Sequence, residues 1–119
     1  MGRILIVEDE PKTLEALKKA LQPLGHALDT AGDGEKALAM LEKTAYDLLV
    51  TDLMMPERTG MDLLEALIGR GSRIPVLVCS AYVQHDALKG LGRGLRVEVV
   101  AKPFKAAALA AAAQKLLPP

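Results

Sequence analysis

The chain has 119 residues, 50% hydrophobic but only 3% aromatic, and its 15 basic residues offset 15 acidic ones. That length suits a single domain with a real core, which this composition makes aliphatic. The neutral balance removes the basic footprint of a nucleic-acid binder, the single Cys79 excludes an internal disulfide and fits a reducing compartment, and no apolar run reaches the ~20 residues of a membrane span.

Strand-like and helix-like segments alternate along the whole chain. The aliphatic run Ile4-Leu5-Ile6-Val7 predicts a strand over 3–7, closed by Glu8-Asp9. Leu14, Leu17, Leu21 and Leu24 recur at helical spacing, and Pro11 suits a first turn, so a helix is expected over 11–23. A strand over 27–31 follows, then a helix over 34–43 capped by Asp33, with Ala37, Leu38 and Leu41 on one face. The third strand, 47–51, is closed by Asp52. A helix over 60–69 carries Leu64, Leu67 and Ile68 and stops at Gly69-Arg70-Gly71. The fourth strand, 75–80, holds Cys79 as a buried, inert thiol and ends at Ser80. A helix over 83–91, a strand over 97–101 and a helix over 104–117 complete the pattern.

Continuous Val/Ile/Leu runs mark strands covered on both faces. Five βα units therefore predict a doubly wound α/β domain with a parallel sheet and right-handed crossovers. Gly90-Leu91-Gly92-Arg93-Gly94 follows no strand and misses the dinucleotide-binding spacing, so it reads as a flexible connection. His26 and His85 have no partner at ligand spacing. The N-terminus enters a strand at once, leaving no room for a signal peptide. One soluble, cytoplasmic domain over 1–119 is expected.

In a parallel sheet the carboxyl ends of the strands open into the ligand crevice, so Glu8, Asp9 and Asp52 should meet in one small volume. Three carboxylates repel unless a cation lies between them, and all-oxygen ligation suits Mg²⁺ or a similar hard ion. Asp52 is the most exposed-looking candidate nucleophile. A carboxylate can attack phosphorus to form an acyl phosphate, in a reaction governed by positioning and charge. Lys102 supplies a cation and Ser80 a hydrogen-bond donor. Taken singly, Lys102 reads equally well as a surface ion-pair partner and Ser80 as a helix cap. Their joint placement at successive strand ends argues against coincidence.

Glu8-Asp9 follows the first strand, and Asp52 follows the third, leading into Leu53-Met54-Met55-Pro56 and Gly60. Ser80-Ala81 follows the fourth and Lys102-Pro103 the fifth. This ordered set resembles the receiver domain of two-component response regulators, over essentially the whole chain. The resemblance implies a flavodoxin-like (βα)5 sandwich with a five-stranded parallel sheet of order 2-1-3-4-5. It implies Asp52 as phosphoacceptor and Mg²⁺ held by Asp9, Asp52 and the Met54 backbone carbonyl, with Glu8 acting through water. Ser80 and Lys102 would stabilise the phosphate, and the Lys102-Pro103 bond would be cis.

The implied phosphodonor is a sensor histidine kinase or phosphotransfer protein. The implied output is a partner or effector domain engaged through segments 83–91, 97–101 and 104–117, with a phosphorylation-dependent homodimer left open. Direct nucleic-acid binding by this domain is not expected. Such a domain assists its own phosphorylation and dephosphorylation and is a switch, not an enzyme in the ordinary sense. Receivers carry Tyr or Phe three residues before the Lys; here Val99 has no ring to rotate and a stiff χ1, so the relay from Ser80 must differ. By the same resemblance Met54 and Tyr82 would occupy the positions beside the hydrolytic water, and neither would orient it well. A haloacid-dehalogenase-type phosphatase needs a second Asp where Met54 stands. A receiver-like domain that no longer switches is the other rival, opposed by the intact Glu8, Asp9, Asp52, Ser80 and Lys102.

Overall fold

The computed structural model describes residues 2–52, 60–80 and 96–117, with backbone alone at 60–62 and 80. The helix expected over 83–91, the Gly90–Gly94 connection, His85, Met54, Pro56 and Tyr82 lie outside the described residues. In chain order the elements are β1 (Arg3–Val7), α1 (Pro11–Leu21), a 3-10 turn (Gln22–Leu24), β2 (Ala27–Ala31), α2 (Gly34–Lys43) and β3 (Leu48–Thr51). They continue with α3 (Gly60–Gly69), β4 (Val76–Ser80), β5 (Val97–Ala101) and α4 (Ala106–Leu116). The five strands form one parallel sheet of order β2-β1-β3-β4-β5, the expected doubly wound topology.

Period-two alternation along the strands divides the core in two. Leu5, Val7, Leu49, Val76 and Val78 face α2 and α3, where they meet Leu38, Leu63, Leu64 and Leu67. Ile4, Ile6, Leu48, Val50, Leu77 and Cys79 face the other way, against Leu17 and Leu21 of α1 and Leu109 and Leu116 of α4. The central strands β1, β3 and β4 are buried on both sides and run aliphatic, whereas the edge strands β2 and β5 admit Asp29, Thr30 and Glu98. Each fully buried side chain of this size stabilises the fold by roughly 1.5–3 kcal/mol.

Element ends differ from the sequence reading in small, explicable ways. Pro11 opens α1 as expected, with the Glu10 carboxylate accepting from the Lys12 backbone N–H at 3.1 Å. The helix ends at Leu21 because the next turn tightens to 3-10 and Gly25 takes a left-handed φ of 81°, which glycine adopts without a Cβ clash. Asp33 caps α2 by accepting from the Lys36 N–H at 2.8 Å. Asp47 stays just outside β3, and its carboxylate takes the Arg3 backbone N–H at 2.8 Å. Pro75 has no N–H to give, so β4 starts at Val76, although the Pro75 carbonyl still accepts from Leu49 at 3.0 Å. α4 begins at Ala106, not 104, because Lys105 is extended (φ −94°, ψ 139°) and Phe104 packs against the α1/α4 core. Among the described residues no helix is long and apolar enough to cross a membrane.

Candidate functional site

The carboxyl ends of β1, β3 and β5 lie side by side or one strand apart, and the backbone ladder continues past each of the first two. The Glu8 N–H donates to the Ala31 carbonyl at 3.1 Å and the Asp52 N–H to the Val7 carbonyl at 3.4 Å. Glu8, Asp52 and Lys102 continue the alternation of Ile4/Ile6, Leu48/Val50 and Val100, all on the α1/α4 face. That shared parity is why three residues far apart in sequence converge.

They converge on the Lys102 ammonium. Its Nζ lies 2.9 Å from Glu8 Oε1 and 2.5 Å from Asp52 Oδ2. The Glu8 side chain is 1% exposed and that of Asp52 11%, whereas Asp9 is exposed. The expectation that Asp52 is the most exposed of the three acids is therefore wrong. Asp52 is half-enclosed beneath Lys102, and Asp9 stands outermost. The Glu8 Oε2 atom also accepts the Asp9 backbone N–H at 3.0 Å, which fixes the turn that leaves β1.

Burial pushes the Glu8 carboxyl above its ordinary value; Lys102 opposes the rise, and the nearby Asp52 and Asp9 add to it. For Lys102, burial favours the neutral amine, but hydrogen bonds to Asp52 and Glu8 outweigh it and hold the ammonium above its ordinary value. The sequence reading anticipated a cation between the carboxylates; between Glu8 and Asp52 that cation is Lys102 itself. Among the described residues no three His, Cys, Asp or Glu side chains stand at metal-ligating spacing. The donor chemistry nonetheless suits a hard divalent ion. Three carboxylates against one ammonium leave two excess negative charges, and Asp9 is exposed to solvent.

The Lys102-Pro103 bond is cis, as the resemblance implied. Ser80 is the last residue of β4, in register with Ala101 immediately before Lys102; its side chain lies outside the described residues. Val99 pairs with Val78 and packs, half-buried, against the α2/α3 core, on the sheet face opposite Lys102. Met54 and Tyr82 cannot be placed within the described residues. Thr51 was missed in sequence: it is fully buried, and its hydroxyl donates to the Asp52 carbonyl at 3.0 Å, tying down the backbone of the acid. A hydroxyl directly before a strand-ending Asp was the available signal. Cys79 is buried as expected, and desolvation pushes its thiol up to about 11. Beside Lys102, a cavity of about 470 Å³ opens between Lys12, Thr13 and Ala16 of α1 and Pro103 and Phe104.

The family model for the response regulator receiver domain matches residues 4–114. Transcriptional activator protein IrlR of Burkholderia pseudomallei (strain 1026b) is 40% identical over 116 residues, covering 97% of this chain and 50% of that protein. Transcriptional regulatory protein DltR of Streptococcus agalactiae serotype III (strain NEM316) is 34% identical over 105 residues, covering 87% of this chain and 46% of that protein. The chain thus spans about half the length of these relatives. The crystal structure of response regulator protein TrrA from Thermotoga maritima, in complex with Mg(2+)-BeF, superposes with a TM-score of 0.82 at 32% identity, covering 98% of this chain and 100% of that one. With the sheet order, the acid–lysine cluster and the family match in agreement, the chain belongs to the receiver domain family of response regulators.

Proposed function

We propose that residues 1–119 form one receiver domain that accepts a phosphoryl group on Asp52, in a Mg²⁺-dependent reaction, from a sensor histidine kinase or phosphotransfer protein. The observation that carries this reading is the Lys102 ammonium seated between the Asp52 and Glu8 carboxylates. In the transfer, an Asp52 carboxylate oxygen bonds to phosphorus as the donor's nitrogen–phosphorus bond breaks, and the electron pair stays with the donor imidazole. The Asp52 carboxylate thereby becomes a mixed anhydride and loses its charge to the phosphoryl oxygens. Lys102 is then free to turn from the acid to a phosphoryl oxygen, so an ion pair that holds the resting site is exchanged for one that holds the product.

Asp9 and Asp52, with the Met54 carbonyl and Glu8 through water, would hold Mg²⁺, which supplies the positive charge that lets an anionic donor approach these carboxylates. TrrA in its complex with Mg(2+)-BeF supports this for a relative of the same fold. The cavity beside Lys102, with Lys12 at its rim and Phe104 in its wall, offers the phosphodonor an approach to Asp52. Ser80 stabilises the phosphate, and the consequence reaches an output partner or effector domain by way of β5 and α4. Val99 leaves that relay without a rotating ring. The relatives are transcriptional regulators by name, and an effector domain beyond this one is the output we favour. The switch acts in the cytoplasm.

The deciding experiment is phosphorylation by acetyl phosphate with Mg²⁺, followed by intact-protein mass spectrometry. Wild type should gain one acid-labile phosphoryl group and Asp52→Asn none. Labelling that persists in Asp52→Asn would sink the assignment.

A further inference from the structure

A second cavity lies away from the acidic site. It has a volume of about 530 Å³ and lies at the opposite end of the sheet, where the strands begin. Asp47, Pro75 and Arg96, which directly precede β3, β4 and β5, all line it. Strands of this length place it roughly 15 Å from the Glu8–Lys102–Asp52 cluster.

Its chemistry is the reverse of that cluster. Three guanidinium groups, Arg70, Arg73 and Arg96, stand around it against one lining carboxylate, Asp47. Asp47 already accepts the Arg3 backbone N–H. Arg70 is answered by Glu42 at 2.6 Å, and Arg96 donates to the Lys115 carbonyl at 3.3 Å. Arg73 is exposed and makes no hydrogen bond or ion pair among the described residues. In a chain of zero formal net charge, three guanidiniums against Asp47 and Glu42 leave a local excess of positive charge, whereas Glu8, Asp9 and Asp52 stand at the other end of the sheet. The floor is apolar: Leu41 and Ile74 are only partly covered and lie beside the α2/α3 core.

Volume and lining both fall within the range of small-molecule sites, which pair an apolar wall with a few convergent polar groups. Guanidinium forks match phosphate oxygens in geometry, and a multiply charged group can engage more than one fork. We propose that this cavity binds an organic phosphate carrying at least two negative charges, with its phosphates against Arg73 and Arg96 and its organic body on Leu41 and Ile74. The site is independent of the phosphoacceptor and would be available in the unphosphorylated protein.

The test is an amide NMR titration of the full chain in EDTA, which removes Mg²⁺ and leaves the acidic pole without a phosphate-binding ion. Probes are adenosine diphosphate and inorganic pyrophosphate, with sodium chloride at matched ionic strength. Saturable shifts confined to residues 41, 44–47, 70–74 and 96 are expected, with adenosine diphosphate binding more tightly than pyrophosphate. The double variant Arg73→Ala/Arg96→Ala changes only exposed residues and should weaken binding by roughly tenfold or more with its thermal unfolding unchanged. Asp52→Asn should bind as wild type does. The proposal is overturned if neither probe shifts these amides, if sodium chloride reproduces the shifts, if pyrophosphate binds as well as adenosine diphosphate, or if the double variant binds equally well.

Discussion

Lys102 reaches back 94 residues to hydrogen-bond Glu8 at 2.9 Å, and Glu8 is a carboxylate almost wholly withdrawn from water. A buried acid of this kind is tolerable only with a partner. Lys102→Met should therefore destabilise the protein by about 1–3 kcal/mol, less than a fully buried pair because the Lys102 side chain keeps some exposure. Adding Glu8→Gln to that variant should recover part of the loss. Urea unfolding of the single and double variants checks this, and an unchanged midpoint in Lys102→Met would show that the pair contributes nothing.

Mg²⁺ affinity should depend strongly on Asp9, the acid the structure leaves exposed and facing solvent. Asp9→Asn removes a full charge from a site with two negative charges in excess, and should weaken binding by about tenfold or more, on the order of 1.4 kcal/mol or above. The same change relieves repulsion on Glu8, so the metal-free variant should unfold no more easily than wild type. Calorimetric titration giving equal Mg²⁺ affinities would remove Asp9 from the ligand set.

Alkaline pH should unfold the protein early. The Cys79 thiol titrates at about 11 when folded, against 9.0 for an unhindered thiol, chiefly through desolvation. Desolvation and the hydrogen bond to Asp29 push Tyr46 up to about 12. In both cases the folded state holds its proton to higher pH than the unfolded chain. Their contribution is thus complete below pH 9 and 10 respectively, and is lost as pH rises through the folded values. Lys102, also raised, acts in the same direction above its ordinary value. Cys79→Ala should flatten the stability profile between pH 9 and 11 by on the order of 1–3 kcal/mol, although it costs packing at neutral pH. A profile identical in slope to wild type would contradict the buried, protonated thiol.

Once formed, the acyl phosphate should be long-lived. Hydrolysis needs a water held in line with phosphorus. By the resemblance, Met54 and Tyr82 would stand beside that water, where Met54 would offer it no useful hydrogen bond and Tyr82 would be bulky enough to crowd its path. One hydrogen bond to a transition state is worth ~1–3 kcal/mol, or roughly 5- to 150-fold in rate. Met54→Asn combined with Tyr82→Glu should accelerate phosphate release by a factor in that range. A time course in which wild type is already complete within seconds, or the double variant is no faster, would refute the water-exclusion argument.

The sheet was legible because its central strands are buried on both faces, so Ile4–Val7 and Leu48–Val50 run without a polar interruption. Helix starts were legible where a side chain makes them, as with Asp33 and Pro11. They were illegible where the tertiary structure makes them: nothing local announces that Phe104 is drawn into the α1/α4 core and delays α4 to Ala106. The same division holds at the site. The acids could be placed from their strand ends, since a parallel sheet brings those ends together. Their relative exposure could not, because it depends on where Lys102 lays its side chain across Asp52 and Glu8. Nor did any short motif mark the arginine-lined cavity, whose residues come from three connections and the last turns of three helices.

The parallel topology also sets an order of events during synthesis. β1 and β3 can pair, and bury the face that α2 and α3 cover, before the last quarter of the chain exists. At that stage Glu8 and Asp52 stand together without an ammonium between them. Only when β5 docks beside β4 does Lys102 arrive, 50 residues after one of its partners and 94 after the other. The carboxylate pair is quenched last, so a nascent or truncated chain lacking the final βα unit keeps Asp52 but not the ammonium that pairs with it.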